Sequence, residues 1–200
     1  MIRIHGCIAL VASLGLAGCA SNPVEDHYYS LVLAADDAAT PDMAVTNAML
    51  IVGPIQLPEY LNKRGLTMQV DANQVQTANH HFWAEPLDEA ISKVLVRDIA
   101  SRNSNLGVER DAGRWTDAGT CRLRIEFDKF HATNRSSVVS SGRYWVSSSD
   151  STVKQEFDVT QRLSADGYGP AVSALRQSLS GLATQINETI TNNSQCSGDE

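Results

Sequence analysis

Apolar residues recur along this chain with two periods. In Cys121-Arg122-Leu123-Arg124-Ile125-Glu126-Phe127-Asp128 the odd positions are apolar and the even ones charged. A period of two sends successive side chains to opposite faces, so this stretch predicts a strand with one face on a core and one in solvent. The serine-rich stretch that follows keeps the period. Val138, Gly142, Tyr144 and Val146 share one phase, and Arg143 and Trp145 fall in the other. Val153, Phe157 and Val159 mark a third strand. Three strands in succession with short polar links predict an antiparallel meander.

The earlier part of the chain has shorter runs. Tyr28 to Leu33 alternates, with Tyr29, Leu31 and Leu33 on one face, and residues 34–47 read as loop. Ala48 to Val52 is continuously apolar and is ended by Gly53-Pro54. Such a run predicts a strand buried on both faces. The next segment, Ile55 to Leu61, contains Pro58, which cannot donate to a ladder and excludes a central strand. Leu66, Met68 and Val70 alternate with polar residues and predict a half-exposed strand.

The helical period appears twice. Leu87, Ala90, Ile91, Val94, Leu95 and Ile99 follow Pro86, with Asp88 and Glu89 in the first turn. Pro is favoured where a helix begins, and acidic side chains suit its positive end. Asn103 to Gly107 stop this helix. Val172, Leu175, Leu179, Leu182, Ile186 and Ile190 form the stripe of a second helix that starts within Gly167 to Pro170. The pattern predicts an α/β (α+β) single-domain sandwich. A mixed sheet of about five to six strands carries two amphipathic helices. His80-His81 reads as polar loop, Trp83 as core packing, and the strand phases supply only enough apolar positions for a filled core.

The first residues belong to none of this. Arg3 precedes a short apolar run from Cys7 to Leu16, broken only by Ser13. That layout is a secretory signal peptide, too short for a bilayer-spanning helix of about 20 residues. Leu16-Ala17-Gly18-Cys19 resembles the lipobox of bacterial lipoproteins. The resemblance implies cleavage before Cys19 and acylation of its thiol and new amino group. With Ala20 and Ser21 next, and no Asp there, it also implies the outer membrane. The expected organisation is a signal peptide over 1–18, a lipidated tether over 19–27, a single α/β domain over 28–192 and a polar tail over 193–200.

Charge narrows the partners. Removing residues 1–18 takes away one basic side chain, Arg3, and leaves 15 basic and 23 acidic residues, a net of −8. An acidic chain is poorly suited to nucleic acid or to a polybasic grip on anionic lipid. Membrane attachment then rests on acyl chains. Of four cysteines, Cys7 leaves with the leader and Cys19 is the acylation candidate. Cys121 and Cys196 remain in a disulfide-permitting compartment. Cys121 opens the strongest strand and Cys196 follows the last helix, so a disulfide between them and two free thiols both stay open.

Catalytic patterns are weak. Ser151-Thr152-Val153-Lys154 matches S-x-x-K, but that motif needs a helix start and this segment reads as a strand. His80-His81 diverge on any regular backbone and have no partner at metal-ligand spacing. Asp36-Asp37 fits no calcium loop. No cofactor and no metal site is expected.

Three stretches carry a wider resemblance. They are Tyr28-Tyr29-Ser30-Leu31, Val52-Gly53-Pro54-Ile55-Gln56-Leu57-Pro58-Glu59-Tyr60-Leu61 and Phe82-Trp83-Ala84-Glu85-Pro86-Leu87. Their order and spacing are similar to the PqiC (YmbA-like) family of membrane-integrity lipoproteins, auxiliary components of ABC-type transport. The resemblance implies a non-enzymatic lipoprotein on the periplasmic face of the outer membrane. It implies a partner, an inner-membrane-anchored MCE-domain protein (PqiB-like) whose tunnel carries lipids across the periplasm. A lipid-binding carrier and a periplasmic serine hydrolase are the competing readings. Leu57, Tyr60 and Leu61 are too apolar for a free loop. With Trp145 they are the candidate contacts to the tunnel protein or to a second copy in a homo-oligomer; otherwise they cap the core beneath the first helix.

Overall fold

The computed structural model describes residues 24–32, 48–111, 120–192 and 196. Eight strands form one mixed sheet: β1 His27–Tyr29, β2 Ala48–Gln56, β3 Gly65–Asp71, β4 Gln74–Trp83, β5 Leu106–Arg110, β6 Thr120–Thr133, β7 Ser137–Ser147 and β8 Thr152–Arg162. Helices α1 Leu87–Ala100 and α2 Tyr168–Thr191 pack side by side on it. The α+β class and the two helices match the sequence reading, with more strands than expected. The signal peptide, most of the tether, residues 33–47 and most of the tail lie outside the described residues.

Strand β6 organises the sheet. Along its whole length it pairs antiparallel with β7, which pairs with β8 as the meander requires. On its other side it meets two strands in turn. Its first half pairs parallel with β2, and its end pairs parallel with β3 through Met68–Ala132 and Gln69–Thr133. β2 also pairs with β5, and β3 continues through β4 to β1. α1 covers β2 and β5, and α2 covers β7 and β8. The predicted stripes face the sheet. Ile91, Val94, Leu95 and Ile99 of α1, and Leu179, Leu182, Ile186 and Ile190 of α2, are all fully buried.

Several expectations need correction. β2 runs past Gly53-Pro54 to Gln56 because its register to β6 shifts between Val52 and Ile55, a bulge that tolerates the missing proline donor. The first strand is short: His27–Tyr29 pairs with His81 to Trp83, and Leu31 beyond it is buried. His80-His81 is not loop but strand β4, and β5 follows directly where the first helix stops.

A second bulge, between Phe127 and Lys129 of β6, reverses the facing of that strand. Before it the odd residues are buried; after it Phe130 is. Phe127 and Phe130 therefore both enter the core, with edge-to-face rings 5.4 Å apart. Opposite Phe127 stands Gly142. A Cβ there would lie 2.1 Å from the Glu126 carbonyl oxygen, so the bulge requires a residue with no side chain.

Candidate docking surface and apolar cavity

Both helices lie on one face of the sheet, so the opposite side of β6–β8 carries the out-of-phase residues. Arg124 of β6 is paired with Trp145 of β7, and Trp145 with Lys154 of β8. The Arg124 guanidinium stands over the Trp145 ring, 4.0 Å from its centroid. A cation over an indole face is attractive and orders both side chains. Two positions along β7, Arg143 donates to the Asp128 carboxylate at 2.8 Å. That contact raises the Arg143 pKa, through the hydrogen bond first and then the charges of Asp128 and Glu126.

Asp128 is the bulge residue, and it also ties down the Pro58–Leu61 corner. After β2 the chain turns through a 3-10 turn, Glu59–Leu61. Pro58 leads into it in an extended conformation, as its missing N–H allows. The Tyr60 hydroxyl donates to the Asp128 backbone carbonyl at 3.1 Å. Its ring meets His131 edge-on, with centroids 5.9 Å apart. Burial, then the Asp128 charge, raises the Tyr60 pKa. His131 is itself buried beneath this ring and donates from Nδ1 to the Ala132 carbonyl at 3.0 Å. Burial lowers the His131 pKa and Lys129 adds to that, while the bond to Ala132 opposes it.

The candidate contacts thus divide. Tyr60 and Trp145 are half-buried and both meet β6, through Asp128 and Arg124 respectively. Leu57 is half-buried against the core. Leu61 is a core residue, 3% exposed. Cys121 and Cys196 are joined by a disulfide with Cα atoms 5.7 Å apart, which ties Cys196 to the start of β6. Cys19 lies outside the described residues.

The core itself is one contiguous buried cluster, but a cleft that the strand phases did not indicate opens beside it. β3 meets β6 only at its end, and a cavity of about 310 Å3 opens between β3 and the first turns of α2. Leu61, Leu66, Met68, Trp83, Phe130 and Leu175 form its apolar wall. Thr133, Asn134, Ser136 and Asp166 give it a polar edge. Tyr168, also in the lining, stacks on His81 at 3.8 Å. His81 accepts or donates a hydrogen bond with the Tyr29 hydroxyl at 2.9 Å. Its pKa is lowered by desolvation and by His27 and His80. Strand β1 is therefore docked beside the cavity. Sequence reasoning missed this site because its walls come from residues 61 to 175.

No catalytic grouping emerges among the described residues. Ser151 lies in the β7–β8 turn and Lys154 in β8, paired with Glu156, so S-x-x-K is not on a helix. No group of three or more His, Cys, Asp or Glu is arranged to hold a metal. No described helix is long and apolar enough to cross a membrane.

Residues 29–187 match the family described as ABC-type transport auxiliary lipoprotein component. The chain is 26% identical over 184 residues to the intermembrane transport lipoprotein PqiC of Escherichia coli, covering 92% of this chain and 96% of that protein. The Shigella flexneri PqiC gives the same values. Two solved structures share the fold. The crystal structure of an uncharacterized protein superposes with a TM-score of 0.71 at 24% identity, covering 84% of this chain and 99% of the other. Protein XCC0632 from Xanthomonas campestris gives 0.61 at 17%, covering 80% and 93%.

Proposed function

The chain belongs to the family of ABC-type transport auxiliary lipoprotein components, and from that premise we propose that it anchors the outer-membrane end of an MCE-type lipid transport system. In this reading Cys19 carries the acyl chains and residues 19–26 are the tether, because His27 already belongs to β1. The folded domain holds the periplasm-spanning tunnel of a PqiB-like protein to the outer membrane. The role is non-enzymatic and supports envelope integrity.

The observation that carries the proposal is the extent of the relationship to the intermembrane transport lipoprotein PqiC, nearly end to end on both chains. The geometry is compatible with it. The helix-free face of β6–β8 offers an ordered aromatic residue, Trp145, within a mixed field of Arg124, Arg143, Lys154 and Glu156. Tryptophan and arginine are the residues that most often anchor protein contacts. Tyr60, at the corner above Asp128, is the second proposed contact, to the tunnel protein or to a neighbouring copy in a homo-oligomer.

The test has two parts. Envelope fractionation of Cys19→Ser should move the protein out of the outer-membrane fraction. A crosslinking pull-down of the wild type from intact envelopes should recover an MCE-domain protein. Retention of Cys19→Ser in the outer membrane with unchanged mass sinks the anchor, and recovery of no such protein sinks the docking role.

A further inference from the structure

We infer that the cavity beside the start of α2 is a binding site for one fatty-acyl chain presented in an ester or amide linkage.

Four observations lead there. The first is size. About 310 Å3 lies at the lower end of the ~300–1,000 Å3 range of small-ligand cavities. A cavity of that class has room for a stretch of one acyl chain. The second is chemistry. Leu61, Leu66, Met68, Trp83 and Phe130 present hydrocarbon and aromatic surface, and the lining is more apolar than polar, with Thr67, Thr133, Asn134, Ser136 and Asp166 as its polar members. Apolar surface in an open cleft is covered by water, and a hydrocarbon occupant that takes this surface out of water is favoured in proportion to the area it buries.

The third is the charge of the edge. Asp166 stands there with Thr133, Asn134 and Ser136, and no Lys or Arg is among the described residues that line the cavity. A free carboxylate would meet Asp166 with no cation to balance it. The Thr133 and Ser136 hydroxyls are engaged with Ser137 and Asp166, but Asn134, which donates one N–H to the Val70 carbonyl, keeps a second for an uncharged ester or amide carbonyl, which favours an acyl chain still attached to its lipid.

The fourth is position. His81 of β4 stacks on Tyr168 at the cavity and is paired with His27 of β1. His27 is eight residue steps from Cys19, a reach of at most about 29 Å at ~3.6 Å per step. An acylated Cys19 would thus be held within that reach of β1, the strand that pairs with β4 beside the cavity. The chain could come from the protein's own anchor or from a bilayer lipid; the chemistry is shared. Only this question of supply rests on the envelope reading above.

Trp83 lines the cavity and reports on it. Purified Cys19→Ser protein, which has no acyl group, is titrated with lysophosphatidylcholine carrying a brominated stearoyl chain, a contact quencher of indole. The expected result is a saturable loss of tryptophan emission that disappears in the additional variant Trp83→Phe. Glycerophosphocholine gives no effect, and free bromostearate a weaker one. Ala171→Phe, which projects a ring into the cavity from α2, should abolish quenching at an unchanged melting temperature. If that variant does not fold, Trp83→Phe alone decides. The lipidated protein in bilayers of brominated phosphatidylcholine separates the sources. Quenching there identifies a bilayer chain, and its absence, with quenching retained in Cys19→Ser, identifies the protein's own anchor. No quenching of Trp83 in either preparation, or quenching that persists in Trp83→Phe, overturns the inference. Each measurement is made without a partner protein, so failure here is distinct from failure of docking.

Discussion

The Tyr60 hydroxyl donates to the backbone carbonyl of Asp128, 68 residues later, at the point where β6 bulges. One hydrogen bond thus joins the corner after β2 to the residue that reverses the facing of the central strand. Tyr60→Phe removes that bond alone and should cost about 0.5–1.5 kcal/mol in urea denaturation. Tyr60→Ala also uncovers His131 and should cost more. If Tyr60→Phe keeps full stability but weakens assembly in the envelope, the hydroxyl serves a partner and not the corner.

His131 sets a pH dependence. Its folded pKa lies below its unfolded value near 6.5, chiefly through burial. The unfolded chain then takes up a proton that the folded one resists. Stability should be full at neutral pH and fall as pH drops through about 6.5 toward the lowered folded pKa. His81, lowered by desolvation and its histidine neighbours, acts in the same direction. Melting curves of the wild type and His131→Gln between neutral and mildly acidic pH check this. The variant should lose less stability on acidification, and identical slopes would remove His131 as a cause.

Asp98 of α1 and Arg176 of α2 form a two-pronged ion pair, both bonds 2.7 Å, between the helices. Asp98 is only 5% exposed. Breaking such a pair from one side leaves a buried charge, so Asp98→Ala should cost about 3–5 kcal/mol. Replacing both partners, Asp98→Leu with Arg176→Met, should recover most of that. Denaturation midpoints of the three proteins decide it; a double variant as weak as the single would mean that the pair itself is needed.

The Cys121–Cys196 disulfide links residues 75 apart in sequence. Closing a loop of that length contributes about 4.5 kcal/mol on chain-entropy grounds. Reduction should lower the urea midpoint, and Cys196→Ser should reproduce the shift without reductant. An unchanged midpoint in both experiments would assign the bond no role in stability.

The meander, both helices and their buried faces were legible because each buries one face and exposes the other. β4 was not. Gln74 to Thr77 are exposed, and Val75 there is 43% exposed, so no apolar alternation marks the strand. β5 was hidden because only Leu106 of its five residues is buried. The bulge at Asp128 left a trace, the consecutive charges of Asp128 and Lys129 before Phe130, but two charges in a row do not specify which way a strand turns. Leu61, left open between a contact and a core cap, is ambiguous for the same local reason, and the structure places it in the core. Pro58 excluded a strand but said nothing of the cavity wall that Leu61 completes with Leu66 and Leu175.

Docking at the outer membrane is tested most directly from Trp145. A photo-crosslinking amino acid placed there in the lipidated protein is irradiated in intact envelopes, and the adduct is identified by mass spectrometry. The account predicts an adduct with an MCE-domain protein, lost when Cys19→Ser keeps the domain from the outer membrane, as unprocessed precursor or as released soluble protein. An adduct that forms equally well without the anchor, or none at Trp145 or at Tyr60 in folded protein, contradicts it.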